Sequence, residues 1–323
     1  MDTAVLGKLG SLEQIACLRP LHYEDGRRQG LKAIEVKNGA LRFVVLPGKC
    51  LDIGELSWQG ENFSFLAPCG LQGREPFDYD GMQAQRSVMC GMLFTCGPDN
   101  VGPPQKSGEP LHGHFRSTPA VHVGTDLFWQ DGRCVMEIRG EMRQGVLFGE
   151  NLVLRRQIRT VLGESSIAIH DVLTNEGFRP EQCMMLYHCN AGYPLLDTGT
   201  EIEIPSPSVL PRDQDALQGI DRWNVMDPPL PEAPEQVFYH RVSGVVTAAV
   251  YNRRTGRRLS LRFSTEELPC LTEWKSVAAG NYALGLEAGT CFVEGRARER
   301  QAGRLFRLAP GQSRNFHLTI RAE

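Results

Sequence analysis

Three short stretches of the sequence place ionisable side chains in apolar or glycine-rich surroundings. The first is Leu111-His112-Gly113-His114-Phe115-Arg116. Its two imidazoles, one residue apart, point to the same side if the chain is extended, and Gly113 between them lets a ligand approach closely. The second is the run from Met184 to Pro194, in which an apolar strand leads into His188 and Asn190, again one residue apart and on one face. The third is Asn281 to Thr290, where Glu287 ends an apolar strand and small residues follow. A carboxylate in that position is partly desolvated, which raises its pKa toward the range useful to a general base. An imidazole and a carboxylate held on opposite sides of a polar ligand form an acid/base pair, one taking a proton while the other gives one. Each stretch also has a plainer reading: loop histidines at the surface, a core histidine with a satisfied hydrogen bond, and a strand-end glutamate paired with one of 29 arginines.

Other chemistries lack a motif. The sequence has no GxSxG elbow, and Cys189, although next to His188, points to the opposite face of a strand. It has no GxGxxG after a strand, no Walker A loop and no HExxH, so no nucleotide or other cofactor is expected. Ten cysteines, at 17, 50, 69, 90, 96, 134, 183, 189, 270 and 291, form no CxxC or CxH pair, so they read as reduced thiols of a cytoplasmic protein rather than as a zinc framework. A metal remains an alternative through His112, His114, His188 and Glu287, three nitrogens and one carboxylate of a credible divalent set. Trp58, Trp129, Trp223 and Trp274 could instead stack on sugar faces in a binding protein without catalysis, Trp274 being the best placed because it shortly precedes the Glu287 strand. A net charge of −3 gives no global attraction to nucleic acid or anionic membrane. No apolar run reaches the roughly 18 residues of a membrane span, and the N-terminus shows no secretory pattern.

The elements that must carry these residues read as strands. Short apolar runs are broken by turn pairs: around Asn38-Gly39, Gln59-Gly60, Asp131-Gly132, Gly163-Glu164, Arg253 to Gly256, and Gly311. Six hairpins spread along the chain, with 34 Gly and 20 Pro to turn them, predict an all-β fold, a large antiparallel β-sandwich formed by residues 1–323 as a single domain. Two stretches depart from this rhythm. Residues 70–110, including MCGMLFTCG, read as a loop with room for a short helix. Residues 205–234 carry seven prolines and read as a long surface connection without regular structure, either a lid over one end of the sandwich or an insertion.

The order of these motifs, HG, then YHxN, then LE at strand ends, resembles the galactose mutarotase-like (aldose 1-epimerase) superfamily. VLPGKCLDIG, MLFTCGPDNVG and LHGHFRSTPA resemble its branch known as a domain of unknown function, over roughly residues 12–320. The resemblance implies a β-supersandwich with a sugar in a cleft, and interconversion of α and β anomers by opening and reclosing the sugar ring. It implies Glu287 as the general base, His188 as the general acid, and His112 as a second histidine that polarises the sugar. The substrate contacts expected are His114, Arg116, Asn190, Lys49, Asp52 and Trp274, with Asp197 an alternative to Asp52. Two positions depart from the branch: Lys49 and His114 stand where it usually has Arg. The implied partner is a small-molecule sugar; the oligomeric state is open, a homodimer being one option. A metal-dependent sugar isomerase or lyase and a non-catalytic carbohydrate-binding protein are the alternatives.

Overall fold

The computed structural model describes residues 7–73, 75–88 and 91–323; Met89 and Cys90 of the MCGMLFTCG run lie outside the described residues. The chain folds into antiparallel sheets of five, eight, six and two strands. The five-stranded sheet runs in sequence order: β1 (Cys17–His22), β2 (Lys32–Lys37), β3 (Leu41–Leu46), β4 (Asp52–Trp58) and β5 (Glu61–Asn62). The six-stranded sheet contains β6 (Leu93–Cys96), β12 (Leu186–Ala191), β14 (Val209–Pro211), β15 (Gln236–His240), β18 (Cys270–Ala278) and β19 (Asn281–Gly289), ordered β14-β15-β18-β19-β12-β6. The eight-stranded sheet contains β7 (Ala120–Gln130), β8 (Arg133–Gly145), β9 (Asn151–Val161), β10 (Ser166–Asn175), β13 (Glu201–Glu203), β16 (Val245–Asn252), β17 (Arg257–Ser264) and β21 (Ser313–Ala322), ordered β13-β16-β17-β21-β10-β9-β8-β7. The pair β11 (Glu181–Cys183) and β20 (Phe306–Leu308) stands apart.

Alternation explains which face each strand buries. In β21, Phe316, Leu318, Ile320 and Ala322 are buried, while His317, Thr319 and Arg321 between them face outward, the period of two of a half-buried strand. These residues join Phe43, Ile158, Leu173, Tyr187 and Leu286 in one hydrophobic cluster shared by the three large sheets. Strand β12 is buried along its whole length, because its other face meets a second, smaller cluster containing Phe94, Leu111, Met184, Leu186, Val237 and Val293. A strand buried on both faces has no polar side to give to water, so His188 and Asn190 are buried with it.

Five of the six expected hairpins form. The sixth does not: β20 and β21 flank Gly311 but pair with β11 and with β10 and β17 respectively, because Phe316 and its neighbours are needed between β10 and β17. The loop expected at 70–110 contains β6, whose four residues are all buried, besides 3-10 turns at Pro76–Tyr79 and Gly81–Arg86. The proline-rich connection is also more ordered than expected. It holds β14, the helix α1 (Gln214–Gln218) and a 3-10 turn at Ile220–Arg222. Lys275 Nζ donates to the carbonyls of Arg222 and Val225 at 2.8 and 2.7 Å, and Tyr282 Oη to that of Asp227 at 2.7 Å. These bonds pin the connection to β18 and β19. Eight cysteines, all those outside positions 69 and 90, are buried or packed thiols without disulfides. No helix among the described residues is long and apolar enough to cross a membrane.

Candidate active site

On the face of the six-stranded sheet turned away from the main core, cross-strand register assembles two rows of side chains. One row runs Tyr239, Thr272, Glu287, His188, Phe94 across β15, β18, β19, β12 and β6. The next runs Val237, Trp274, Gly285, Asn190. Directly opposed residues of antiparallel strands share a face with their Cβ atoms about 5 Å apart, so His188 and Glu287, 99 positions apart in sequence, become neighbours. His188 Nε2 lies 3.0 Å from Glu287 Oε1, and the two residues are 1% and 2% exposed. Phe94 stacks on the imidazole at 4.5 Å; the rings of Trp274 and His112 meet it edge-on at 5.7 and 5.9 Å.

The pair forms the floor of a cavity of about 780 Å³, also lined by His112, Trp274, Val237, Leu111, Arg212 and Glu235. At its wall Trp274 Nε1 donates to Glu235 Oε2 at 2.8 Å, and Arg212 Nη2 reaches Glu235 Oε1 at 2.9 Å. A cavity of this size suits a small polar ligand. Four buried polar atoms on these two rows have no hydrogen-bond partner: His188 Nδ1, Asn190 Oδ1, Thr272 Oγ1 and Glu287 Oε2. Buried polar groups are otherwise almost always satisfied, so this concentration sets the two rows apart as unspent hydrogen-bonding capacity.

Burial sets the protonation. It pushes the Glu287 carboxyl well above its ordinary range, with the Glu235 charge adding and Arg212 opposing. It pulls the His188 imidazole well below its ordinary value, with His112 adding and the Asn190 amide opposing. Both directions favour a neutral pair, in which the Glu287 carboxyl donates its proton to His188 Nε2. His112 is held neutral too, at about 3, by burial and then by Arg116. Its Nδ1 accepts from the Gly102 amide at 3.3 Å, which assigns the ring proton to Nε2.

The sequence anticipated the two sides of a ligand for His188 and Glu287; the structure instead brings them into contact. It also separates the two histidines of the HGH run, because that run is a turn rather than a strand. His112 and Gly113 both have left-handed backbone, φ 58° and 77°, and a Cβ on Gly113 would lie 2.6 Å from the carbonyl oxygens of Gly97 and Asn100. His112 lines the cavity, whereas His114 turns away to Asp99, Nδ1 to Oδ2 2.7 Å, beside Tyr79. The set His112, His114, His188 and Glu287 therefore does not converge, and no group of three metal-ligating side chains occurs among the described residues.

Three further expected contacts also lie outside the cavity. Lys49 Nζ is paired with Asp78 at 3.1 Å, and Arg116 is buried against the carbonyls of Leu111 and Asp78, both beside a separate small pocket behind Phe94. Asp52 belongs to a buried network centred on Arg156, whose Nη1 reaches it at 2.7 Å. Asp197 is at the surface in an ion pair with Arg254. Asn190 is fully buried beside His188, its Nδ2 donating to the Gly91 carbonyl at 3.2 Å. Trp274 lines the cavity, while Trp223 packs edge-on against His240, Trp58 lies under Arg257 and Trp129 is half-exposed on β7. Of the long proline-rich connection, only Arg212 lines the cavity.

Sequence reasoning passed over Thr272, Phe94, Arg212 and Gly285. Only Gly285 left a signal, a glycine inside an apolar strand, which marks close approach of another group. A Cβ there would lie 2.7 Å from His188 Cε1 and 3.2 Å from Glu287 Oε1. Gly285→Ala is expected to cost about 1–3 kcal/mol of stability and to part the pair. Denaturant unfolding and the imidazole ¹⁵N shifts of His188 read the two effects; unchanged shifts would mean that the ring sits elsewhere.

The sequence profile of the family described as a domain of unknown function (DUF4432) matches residues 28–322. Among solved structures, a Klebsiella pneumoniae protein provisionally called an aldose 1-epimerase is 24% identical with a TM-score of 0.88, over 94% of this chain and 83% of that one. A galactose mutarotase-like protein from Clostridium acetobutylicum is 11% identical with a TM-score of 0.65, over 96% and 99%. An Escherichia coli K12 protein also provisionally called an aldose 1-epimerase is 14% identical with a TM-score of 0.58, over 91% and 99%. No curated protein matches the sequence. At these identities the structural matches speak for the fold, and the profile, which spans nearly the whole chain, speaks for descent: the chain is a member of the DUF4432 family, built on the galactose mutarotase-like β-sandwich.

Proposed function

We propose that this protein is an aldose 1-epimerase-like enzyme that interconverts the anomers of a small sugar by acid/base ring opening, without a cofactor, in the cytoplasm. The observation that carries the reading is the buried His188–Glu287 pair at the floor of a ligand-sized cavity. The pair holds one proton between two groups, and ring opening needs one proton given and one taken.

A sugar entering the cavity parts the pair, with the proton on His188 and the charge on Glu287. Glu287 removes the proton of the anomeric hydroxyl, and that O–H electron pair becomes the second C1–O1 bond. The C1–O5 bond breaks, and its electrons take the proton of His188 at O5. The neutral pair is restored and the sugar is an open-chain aldehyde. Rotation about C1–C2 and the reverse steps give the other anomer. His112, neutral with its proton on Nε2, supplies a donor to the sugar; Trp274 offers an apolar face to a sugar ring; Asn190 lies beside His188 in the neighbouring row.

The proton count fixes the pH dependence. The working state has one proton on the pair, whether it is written as the neutral or as the ionised form, so the pair titrates as a unit. A second proton blocks the base, and loss of the only proton removes the acid. Burial lowers the first of these pKa values and raises the second, so the rate is expected to be flat through neutral pH, falling only below the ordinary histidine range and again well above the ordinary carboxylate range. Saturation-transfer NMR between α and β anomers, across a panel of aldoses and uronic acids with and without chelator, tests the reading. Enhanced exchange that survives the chelator and follows this plateau supports it. Saturable sugar binding without enhancement replaces it by a binding protein, and loss of exchange on chelation replaces it by a metal enzyme.

A further inference from the structure

Glu287 has two flanking strands, and its pairing with His188 involves only one of them. On the β12 side His188 engages Oε1. On the β18 side the directly opposed residue is Thr272, fully buried and on the face of Trp274, two residues on. Its Oγ1 has no partner, and neither has Glu287 Oε2. Two adjacent, unsatisfied buried groups that are complementary as donor and acceptor are costly in the ligand-free protein. We propose that Thr272 is a positioning residue: when a ligand displaces Glu287 from His188, the carboxylate turns to the Thr272 hydroxyl, which donates to it and holds it as the base.

This inference rests on the acid/base reading of the pair, but its chemistry is local. While the carboxyl is neutral and donates its proton to His188, its unpartnered Oε2 costs less than a buried carboxylate oxygen would. Once that proton has moved to His188, the carboxylate is buried, and Arg212, whose charge acts on it, is already tied to Glu235 and Asp213. Tyr239, the next residue in the row, is engaged with Glu294. Thr272 is thus an uncommitted donor beside the carboxylate. A donor to the charged form favours that form, so Thr272 lowers the cost of the proton transfer that precedes ring opening.

Thr272→Val keeps the shape and removes the hydroxyl; Thr272→Ser keeps the hydroxyl. Losing a hydrogen bond to a charged group is expected to lower kcat/KM for anomer exchange by about 10- to 100-fold, divided between kcat and KM because the bond forms once the ligand has parted the pair. The alkaline limb of the rate profile should move to higher pH, and Thr272→Ser should restore both rate and profile. A second measurement needs no turnover. In His188→Ala protein the carboxyl has lost its acceptor, and ¹³C NMR of labelled glutamate follows Glu287 directly. Adding Thr272→Val should raise its titration midpoint by about one pH unit or more. Unchanged kcat/KM and limb in Thr272→Val, or an unchanged midpoint in the double variant, overturns the role of Thr272 and leaves the mutarotase reading standing. Absence of sugar exchange in the wild-type protein overturns that reading instead, while the carboxyl titration still decides on Thr272.

Discussion

Replacing Glu287 by Gln is expected to reduce catalysed anomer exchange by about 10²–10⁴-fold, the range for losing a general base. The substitution is nearly isosteric, and the Gln amide can donate to His188 Nε2 as the protonated carboxyl does. The resting geometry and the cavity should therefore persist, and sugar affinity should change little. The effect falls on kcat, because Gln cannot take the anomeric proton. Because sugars mutarotate spontaneously, the residual rate should merge with the uncatalysed one, and the plateau in pH should vanish with the base. Exchange NMR at several pH values, alongside a binding isotherm, measures both. Normal turnover by the Gln variant would exclude Glu287 as the base, and weakened binding with unchanged kcat would make it a binding residue only.

The largest expected stability effect lies behind the site, at Arg156. This side chain is fully buried and donates from Nε and Nη2 to both carboxylate oxygens of Asp171 at 2.9 and 2.6 Å. It also reaches Asp52 at 2.7 Å, Thr95 Oγ1 at 2.8 Å and the Cys50 carbonyl at 3.0 Å. Thr95 donates to Asp52 through its amide and hydroxyl, and Tyr187 donates to Asp171 at 2.7 Å. The network ties β4, β6, β9, β10 and β12 together, one strand of it being the His188 strand. Burial already pushes Asp52 up to about 6, against the pull of Arg156 and of the Thr95 bonds. Removing the guanidinium strands two buried carboxylates, so Arg156→Ala is expected to lose about 3–5 kcal/mol.

The pH dependence of that loss has a definite sign. Asp52 titrates in the folded protein at about 6, above its unfolded value of 3.8, so its protonation favours the fold. That contribution is fully present below the unfolded value and is lost as pH rises through about 6. Without Arg156 the folded-state value rises further, and the variant should be relatively less unstable in acid than at neutral pH. Urea midpoints at pH 5 and pH 8 measure this. Replacing Arg156 by Met together with Asp52→Asn and Asp171→Asn removes the charges as a set and should cost less than Arg156→Ala alone. A loss below about 1 kcal/mol in the Ala variant would show that the network does not clamp these strands.

Local pattern in the sequence determined the strands and most of their turns. Asn38-Gly39, Asp131-Gly132 and Gly163-Glu164 each set a chain reversal that depends on a few adjacent residues, and the alternation in segments such as SRNFHLTIRA assigns the buried face without any partner in view. The same locality made His188, Asn190 and Glu287 legible as chemical residues, since each is an ionisable or amide group on an otherwise apolar strand. The fold class followed from the same rhythm, strengthened by the order of motifs.

Tertiary structure decided what depends on register between distant strands. That His188 stands opposite Glu287, that Thr272 flanks it from the other side, and that Gly285 leaves room for the imidazole are consequences of pairing β12, β19 and β18, and no spacing along the chain encodes them. The HGH run showed two rings one residue apart, but the left-handed backbone of His112 and Gly113 sends them apart. Lys49 and Arg116 read as ligand contacts through the family resemblance, whereas the structure buries them against Asp78 and backbone carbonyls. Asp52, Asp171 and Arg156 carry no common motif, because a buried ion network is defined by charge balance in space. The sequence alone therefore determined which ionisable residues stand on apolar strands. Packing in three dimensions decided which of them meet.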